Sequence, residues 1–230
     1  MASARTEDSR PVGLRERNKA KTQEKILSSA RALFARNGYP ATSMEAIAAA
    51  ANLSATTLYN YFGTKGQILL AMIARSDAEM MASEQPAPSI GDGSADHISA
   101  FLSRLTRHSL KRIDRGTWRY AIAHSMISEN ADDIKDEYSQ INGRLVAYIV
   151  SMLEMLNARN RLPPVQGVAT LGQMIFDMYH VLFIRLISSD ALSVQEHEET
   201  LHRYVSAAIG AQPTHNKPPA KLFSKSTTEG

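Results

Sequence analysis

Apolar residues recur along the chain at steps of three and four residues, which is the spacing of one face of an α-helix. No segment alternates apolar and polar residues over the length of a strand. In the first strongly periodic segment, four apolar residues fall at i, i+4, i+7 and i+8: Ile26, Ala30, Leu33 and Phe34. Asn37 and Gly38 then form a C-terminal stop, so the first helix is predicted over about residues 19–37. Because the helical spacing recurs along the chain, we predict an all-α protein.

Two short helices and one long helix are predicted next. Residues 42–45 have the T-x-x-E spacing of a capping box, so a short helix begins there and ends near residue 51. Ser54 is a typical N-cap for a third helix of about two turns. A Gly-Thr pair then leads into a long fourth helix over about residues 65–82.

A stretch rich in proline and glycine, residues 83–93, separates these helices from the rest of the chain. Five further helices are predicted beyond it, at about residues 94–113, 117–128, 132–157, 164–187 and 194–208. The predicted organisation has four parts: a flexible basic arm (1–18), a domain that contains the short helices (19–66), a larger helical domain (67–210) and a disordered tail (211–230).

The second and third helices have the pattern of a helix-turn-helix. Asn52 occupies the turn position that favours a left-handed backbone, which asparagine tolerates better than most residues. Four apolar residues supply the buried side: Ile47, Leu53, Leu58 and Phe62. The outward stripe of the third helix is then formed by two i, i+4 pairs: Ala55, Thr56, Tyr59 and Asn60. Short side chains at the start of this stripe favour approach to a DNA groove, and the longer ones can reach base edges or phosphates.

These residues carry a family resemblance. The segments Ala41-Thr42-Ser43-Met44 and Ile47-Ala48, followed by residues 53–65 (LSATTLYNYFGTK), resemble the signature of the TetR family of bacterial transcriptional regulators over about residues 20–70. The resemblance implies two α-helical domains, a homodimer, a palindromic operator of double-stranded DNA and a small-molecule effector. Two departures are visible, since the family usually has Gly in place of Thr56 and Glu in place of Gly66. The first adds a hydroxyl and a methyl group to the recognition helix, so base preference does not carry over. The second removes a helix-start charge worth about 0.3 kcal/mol.

The resemblance also implies which residues contact DNA: Thr42, Ser54, Thr56, Thr57, Tyr59, Asn60, Tyr61 and Lys65. Thr42, Tyr61 and Lys65 would bind backbone phosphates, and the others would face the major groove or its flanking phosphates. A purely structural alternative stays open, in which Thr42 and Ser54 are only N-caps and Tyr61 packs on the core. Both roles are compatible, because caps lie where helix N-termini bind phosphates.

Charge is concentrated at the N-terminal end. The chain has 26 Lys and Arg against 23 Asp and Glu, for a net charge of +3. Residues 1–67 hold 10 basic and 5 acidic residues, or +5, which leaves −2 for the remainder. This asymmetry indicates a polyanionic partner, although a solvated basic tail would have the same composition. The absence of cysteine excludes thiolate metal sites, disulfides and cysteine nucleophiles.

Targeting and membrane signals are absent from the sequence. The N-terminus is polar, and the most apolar long stretch, residues 165–187, is interrupted by charged residues. We expect a cytoplasmic bacterial protein with no membrane span. We also expect no cofactor, no metal and no catalytic group. His197 and His202, at i and i+5, lie roughly 140° apart on a helix, and Asp177 with His180 is more typical of hydrogen-bonded core residues than of a metal site.

Two further surfaces are predicted in the larger domain. A mixture of aromatic, sulfur and polar side chains is typical of an effector cavity, although it is also typical of ordinary core packing. Its candidates are Trp118, Tyr120, His124, Met126, Tyr148 and Met152. The last two helices carry apolar surface that is too wide for one domain to cover, which predicts a four-helix dimer interface. Its candidates are Ile175, Phe176, Tyr179, Leu182, Phe183, Leu201 and Tyr204.

The sequence therefore favours a dimeric DNA-binding repressor that a small molecule releases from its operator. Effector binding would shift the fourth helix and so change the separation of the two recognition helices. The alternative is a helical interaction module whose basic arm binds RNA or an acidic partner. An enzyme is disfavoured, because no catalytic constellation stands out.

Overall fold

The computed structural model describes residues 13–83, 93–127, 131–162 and 167–210, of which residue 127 and residues 131–137 are described by their backbone alone. Nine α-helices lie within these ranges: α1 (Leu14–Asn37), α2 (Met44–Ala50), α3 (Ala55–Tyr61), α4 (Lys65–Ser83), α5 (Ser94–Arg112), α6 (Arg115–Ile127), α7 (Ala131–Ala158), α8 (Val168–Ser188) and α9 (Val194–Ile209). The predicted all-α fold and its nine helices are confirmed over the described part of the chain.

Two predicted helix boundaries are wrong. Helix α1 begins at Leu14, so residues 14–18 are helical and do not belong to a flexible arm. Good helix formers and the acidic Glu16 in the first turn favour this early start. Helix α8 begins at Val168 instead of residue 164, because Gly167 adopts a left-handed conformation at its N-cap (φ 84°). The predicted arm over residues 1–12 and the predicted tail over residues 211–230 lie outside the described residues.

The described residues form two compact units, one within residues 1–85 and 108–144 and the other within residues 86–107 and 145–230. In the first unit, α1 packs on α2 and α4, α2 packs on α3, and α6 packs on α4. This grouping differs from the predicted boundary after residue 66, because α4 and α6 belong with the N-terminal helices. In the second unit α8 packs along α9. Within the described ranges, no helix combines the length and the apolarity that a membrane span requires.

Candidate nucleic-acid interface

The turn between α2 and α3 is closed by backbone hydrogen bonds. Asn52 has a φ of 56°, so the predicted left-handed turn residue is confirmed. Its amide donates to the carbonyl of Ala49 (3.1 Å), and the amide of Leu53 donates to the carbonyl of Ala48 (2.9 Å). Because Ala48 and Ile47 are buried beside this turn, the two helices cross at close range and in a defined orientation.

Helix α3 buries one side and presents the other. Ser54 is its N-cap, as predicted, and accepts a hydrogen bond from the Thr57 amide (3.1 Å). Leu58 is fully buried, whereas Thr56 and Asn60 are exposed on the opposite side of the helix. Tyr59 lies beside them and is 46% exposed. The structure therefore places three predicted contact residues on one outward surface, whose hydroxyl and amide groups can donate to and accept from base edges.

The other α3 candidates lie at the margins of that surface. The Thr57 side chain is half-buried, and its hydroxyl lies 2.8 Å from the Ser54 hydroxyl. Tyr61 is half-buried, at the last position of α3. The N-cap geometry of Ser54 and the proposed phosphate contact remain compatible, since the Ser54 side chain is exposed.

Tyr59 is connected to α2 by a hydrogen bond from its hydroxyl to Oε1 of Glu45 (3.4 Å). A hydrogen bond with the Glu45 backbone amide, a second with Ser43 and a smaller contribution from Tyr59 hold the pKa of Glu45 below its usual value. The carboxylate is therefore charged at neutral pH. It orients Tyr59 and places a negative charge at the edge of the α3 surface.

The predicted phosphate contact of Thr42 is wrong, because its side chain is buried. Its side chain is 2% exposed, and its hydroxyl donates to the carbonyl of Gly38 (2.8 Å). The N-cap of α2 is the next residue, Ser43, whose hydroxyl accepts from the Ala46 amide (3.1 Å). The capping-box prediction at Thr42 is thus wrong by one position, because the Thr42 side chain closes the preceding loop.

Lys65 also differs from its predicted role, because its ammonium group is engaged inside the protein. Nζ donates to the carbonyls of Tyr39 (2.7 Å), Thr42 (2.7 Å) and Pro40 (3.3 Å). It also lies 4.4 Å from the centre of the Tyr39 ring. Three carbonyls match the three donors of an ammonium group. Partial burial lowers the pKa of Lys65 below its usual value. Lys65 therefore holds the α1–α2 loop against the start of α4.

Thr64 caps the start of α4, and α6 covers this end of the helix. The Thr64 hydroxyl accepts from the Gln67 amide, and the Gln67 side chain accepts from the Thr64 amide, each at 3.1 Å. Nε2 of His124 lies 3.5 Å from the Thr64 hydroxyl. A Cβ atom built at Gly66 would lie less than 3.0 Å from the His124 ring, which is closer than Cβ atoms in real structures approach other atoms. Burial lowers the pKa of His124, so the ring is neutral at pH 7.

Tyr120, one turn before His124, contacts the α1–α2 loop. Its ring centre lies 5.1 Å from that of Tyr39, although the side chain is 45% exposed. Tyr120 and His124 were predicted to line an effector cavity, but they cover the base of the DNA-binding helices. Sequence analysis missed Tyr39 and Gly66 as their partners. The available signal was Gly66 itself, a small residue at a position where the family usually has Glu.

The remaining effector candidates are divided between the two units. In the first unit, Trp118 is 6% exposed and belongs to the core, whereas Met126 is 69% exposed and points outward. In the second unit, the Tyr148 ring lies 4.8 Å from that of Phe101, and Met152 is buried. Because its side chain is exposed, Met126 does not line a cavity. The cavity role of Trp118, Tyr148 and Met152 stays a prediction.

The predicted dimer residues are mostly core residues of the protomer. Six of them are between 0% and 6% exposed: Ile175, Phe176, Tyr179, Leu182, Phe183 and Leu201. Tyr204 is half-buried. Side chains that their own chain already covers cannot line an interface, so this assignment is wrong for the six. The large apolar residues of α8 that are exposed are Met174 (51%) and Val181 (58%), seven residues apart on another face of the helix.

The histidine and aspartate candidates each have a separate partner. Asp177 accepts from the Gln173 amide (2.8 Å), and His180 stacks on Phe176. His197 lies 3.2 Å from the Thr106 hydroxyl, and His202 lies 2.7 Å from Asp96. Over the described ranges, no group of three acidic or histidine side chains could hold a metal ion.

Comparison with known proteins places the helix-turn-helix in a family. Residues 26–72 match the sequence profile of the bacterial regulatory proteins of the tetR family. The HTH-type transcriptional regulator TcmR of Streptomyces glaucescens is 27% identical over 147 residues, which cover 60% of this chain and 63% of that protein. The HTH-type transcriptional repressor KstR of Rhodococcus jostii is 31% identical over 85 residues, 37% of this chain and 39% of that protein. The aligned segment thus spans less than two thirds of either relative.

Solved structures share the fold over most of the chain. Thermus thermophilus FadR, a TetR-family repressor in complex with lauroyl-CoA, superimposes with a TM-score of 0.67 at 17% identity and covers 86% of this chain and 100% of its own. RolR in complex with resorcinol gives a TM-score of 0.62 at 19% identity and covers 86% of this chain and 91% of its own. At these identities the likeness is one of fold.

Proposed function

We propose that the chain is a sequence-specific DNA-binding transcriptional regulator of the TetR family, the family whose profile its residues 26–72 match. One observation carries the proposal: α3 presents Thr56, Tyr59 and Asn60 on its exposed side, while Leu58 anchors its other side in the core. A helix that enters the major groove needs a polar outward face of this kind and a rigid support.

The individual roles follow from the positions of the side chains. Thr56 and Asn60, opposite Leu58, read base edges, and Tyr59 contacts a base or a phosphate at the margin. Ser54 and Thr57, at the N-terminus of α3, donate to backbone phosphates. Basic residues on the exposed first half of α1 add sequence-independent attraction: Arg15, Arg17, Lys19, Lys21 and Lys25. Lys65 positions the loop before α2 and makes no phosphate contact.

A homodimer on a palindromic operator is part of the proposal, because one α3 helix offers too few base contacts for specific binding. The support for the interface is the exposed apolar row on α8. Met174 and Val181 are exposed, and the half-buried Met178 lies between them at i+4 and i−3. A two-fold axis beside this row would pair α8 and α9 of each chain as a four-helix bundle.

We further propose that a small molecule releases the protein from DNA. The proposed function is therefore regulation by binding and not catalysis. The fold neighbours FadR and RolR hold lauroyl-CoA and resorcinol in their structures. In this chain, α6 covers the first turn of α4 and the α1–α2 loop, so a shift of α6 would displace the support of the DNA-binding helices. An effector that prefers the shifted arrangement would lower the population that fits the operator.

Cell-free selection of bound duplexes from a random DNA pool tests the proposed function. We expect a two-fold symmetric consensus whose half-sites lie about one helical turn apart. Thr56→Ala and Asn60→Ala should change the selected bases, whereas Gln195→Ala, an exposed substitution on α9, should leave them unchanged. Enrichment of no sequence, with retention that depends only on salt, would favour the alternative of a basic interaction module.

A further inference from the structure

A carboxylate of α2 lies beside the outward surface of α3. Glu45 is the second residue of α2, and its side chain is exposed. Its Oε1 atom accepts a hydrogen bond from the hydroxyl of Tyr59 (3.4 Å), 14 positions later in the chain. Tyr59 is 46% exposed beside Thr56 and Asn60. The hydrogen bond therefore places the Glu45 carboxylate at the edge of the surface that would face DNA.

This carboxylate is held in place and still has acceptor capacity. Hydrogen bonds with its own backbone amide and with Ser43, and a smaller contribution from Tyr59, hold the pKa of Glu45 below its usual value. Over the residues that the structure describes, Glu45 forms no ion pair with a lysine or an arginine. The two oxygens of a carboxylate offer about four acceptor positions, so these partners leave room for a further donor.

A negative charge at this edge is unfavourable unless the DNA offers it a donor. Phosphates line the major groove and repel a carboxylate at every sequence. The base edges differ, because cytosine presents its N4 amino donor alone, whereas guanine presents two acceptors and thymine an acceptor and a methyl group. Adenine also has an amino donor, but its N7 acceptor lies beside that donor and repels a carboxylate. A carboxylate therefore distinguishes cytosine from the other three bases.

We propose that Glu45 is a specificity-determining residue of the DNA interface, whose carboxylate accepts a hydrogen bond from the N4 amino group of a cytosine in each half-site. The Tyr59 hydroxyl orients the carboxylate beside α3. Thr56 and Asn60 each carry both donors and acceptors, so neither selects a lone donor as a carboxylate does. This inference rests on the proposed regulatory function, which it deepens by naming one base of the operator and the residue that recognises it.

The first test repeats the selection from random duplexes with the full-length wild type, Glu45→Ala and Glu45→Gln. We expect the wild-type consensus to contain, in each half-site, a cytosine that Glu45→Ala no longer selects, while the other positions stay the same. Glu45→Gln should shift that position towards adenine, because an amide matches the N6 donor and the N7 acceptor of adenine. Glu154→Ala, which removes an exposed glutamate from α7, is the matched control and should select the wild-type consensus.

A second test removes the donor from the DNA. N4-methylcytosine still pairs with guanine, but its methyl group replaces the amino hydrogen that faces the major groove. Fluorescence anisotropy measures binding to the selected operator with and without this methyl group at the assigned cytosine. We expect the methyl group to weaken binding of the wild type by about tenfold and binding of Glu45→Ala by less than about twofold. Glu45→Ala should also bind random-sequence DNA about threefold more tightly at low salt, because a repelled charge is removed.

The proposal is overturned if either Glu45 variant still selects the same cytosine, or if N4-methylation weakens the wild type and Glu45→Ala equally. Either result, together with a symmetric wild-type consensus, would leave the regulatory function in place and remove only the role of Glu45. Enrichment of no sequence by the wild type would overturn both the regulatory function and the recognition of cytosine by Glu45.

Discussion

The imidazole ring of His124 lies in the space that a side chain at Gly66 would occupy, and this contact joins α6 to the first turn of α4. Any Cβ atom at position 66 would meet the ring at less than the 3.0 Å that real Cβ atoms keep. A side chain at position 66 would therefore force the His124 ring to move. Since the same turn carries Lys65 and its hydrogen bonds to the α1–α2 loop, the fit of His124 on Gly66 affects the support of the helix-turn-helix.

The first prediction is that Gly66→Ala destabilises the protein by about 1–3 kcal/mol, because the added methyl group forces the His124 ring out of its position. Chemical denaturation measures this effect. Gly143→Ala is the matched control, since no atom lies within 4 Å of a Cβ built there and alanine favours a helix. Combining Gly66→Ala with His124→Ala should recover part of the loss. Equal effects of the two glycine substitutions would mean that the contact is not tight.

The second prediction separates the two roles considered for Lys65. Because its ammonium group binds three loop carbonyls, Lys65→Met should lower the free energy of unfolding by about 1–3 kcal/mol. It should weaken DNA binding without changing the dependence of log K on log salt concentration. A phosphate contact would instead reduce that slope by about 0.9. Lys19→Met is the opposite case, because Lys19 is exposed on α1 and is one of the residues proposed to attract DNA; it should reduce the slope and leave stability nearly unchanged. A reduced slope with unchanged stability would restore the phosphate role of Lys65.

The third prediction concerns the dimer. Val181 is 58% exposed on α8, so Val181→Glu should give a folded monomer that has lost specific operator binding. Phe183 is 5% exposed in the core of its own chain, and Phe183→Glu should therefore unfold the protein instead. Sedimentation and circular dichroism distinguish the two results. A Val181→Glu variant that remains dimeric would place the interface on another face.

The fourth prediction is a pH dependence of stability. Burial raises the folded-state pKa of Asp77 from its ordinary value of 3.8 to about 7, so the folded state binds the extra proton between these values. Wild-type stability should thus contain a contribution that is full below pH 4 and is lost as the pH rises towards 7. Asp77→Asn lacks this contribution, and its melting temperature should exceed that of the wild type at pH 7.5 by about 4 °C, allowing for partial exposure. At pH 4 the difference should vanish.

Glu79→Gln provides the opposite sign as a control. The hydrogen bond from Arg75 lowers the pKa of Glu79, so its stabilising contribution is present above about pH 4.5 and is lost on acidification. Its substitution should therefore cost stability at pH 7 by up to about 1 kcal/mol, since the pair is exposed. If Asp77→Asn follows the same pattern as Glu79→Gln, Asp77 is an ordinary surface carboxylate.

The sequence by itself determined the features that depend on neighbours along the chain. Helix periodicity, the Ser54 cap, the left-handed Asn52 and the division of α3 into a buried and an exposed side all involve residues within about four positions of one another. The residues that form such a pattern are also the residues that stabilise the local structure. The nine helices of the described ranges and the outward surface of α3 could therefore be predicted without tertiary information.

Tertiary structure decided which group meets which across helices. From the sequence, Lys65 was predicted to bind a phosphate. In the structure, its ammonium group instead donates to carbonyls of residues 23 to 26 positions earlier in the chain. Tyr120 and His124 form an apolar–polar pair at i, i+4, but their partners lie on α4 and the α1–α2 loop. The broad apolar surface of α8 was assigned to a second subunit, whereas most of it is covered by its own chain. Periodicity identifies the apolar side of a helix, but the surface that covers it depends on packing between residues far apart in sequence, and no local pattern encodes that choice.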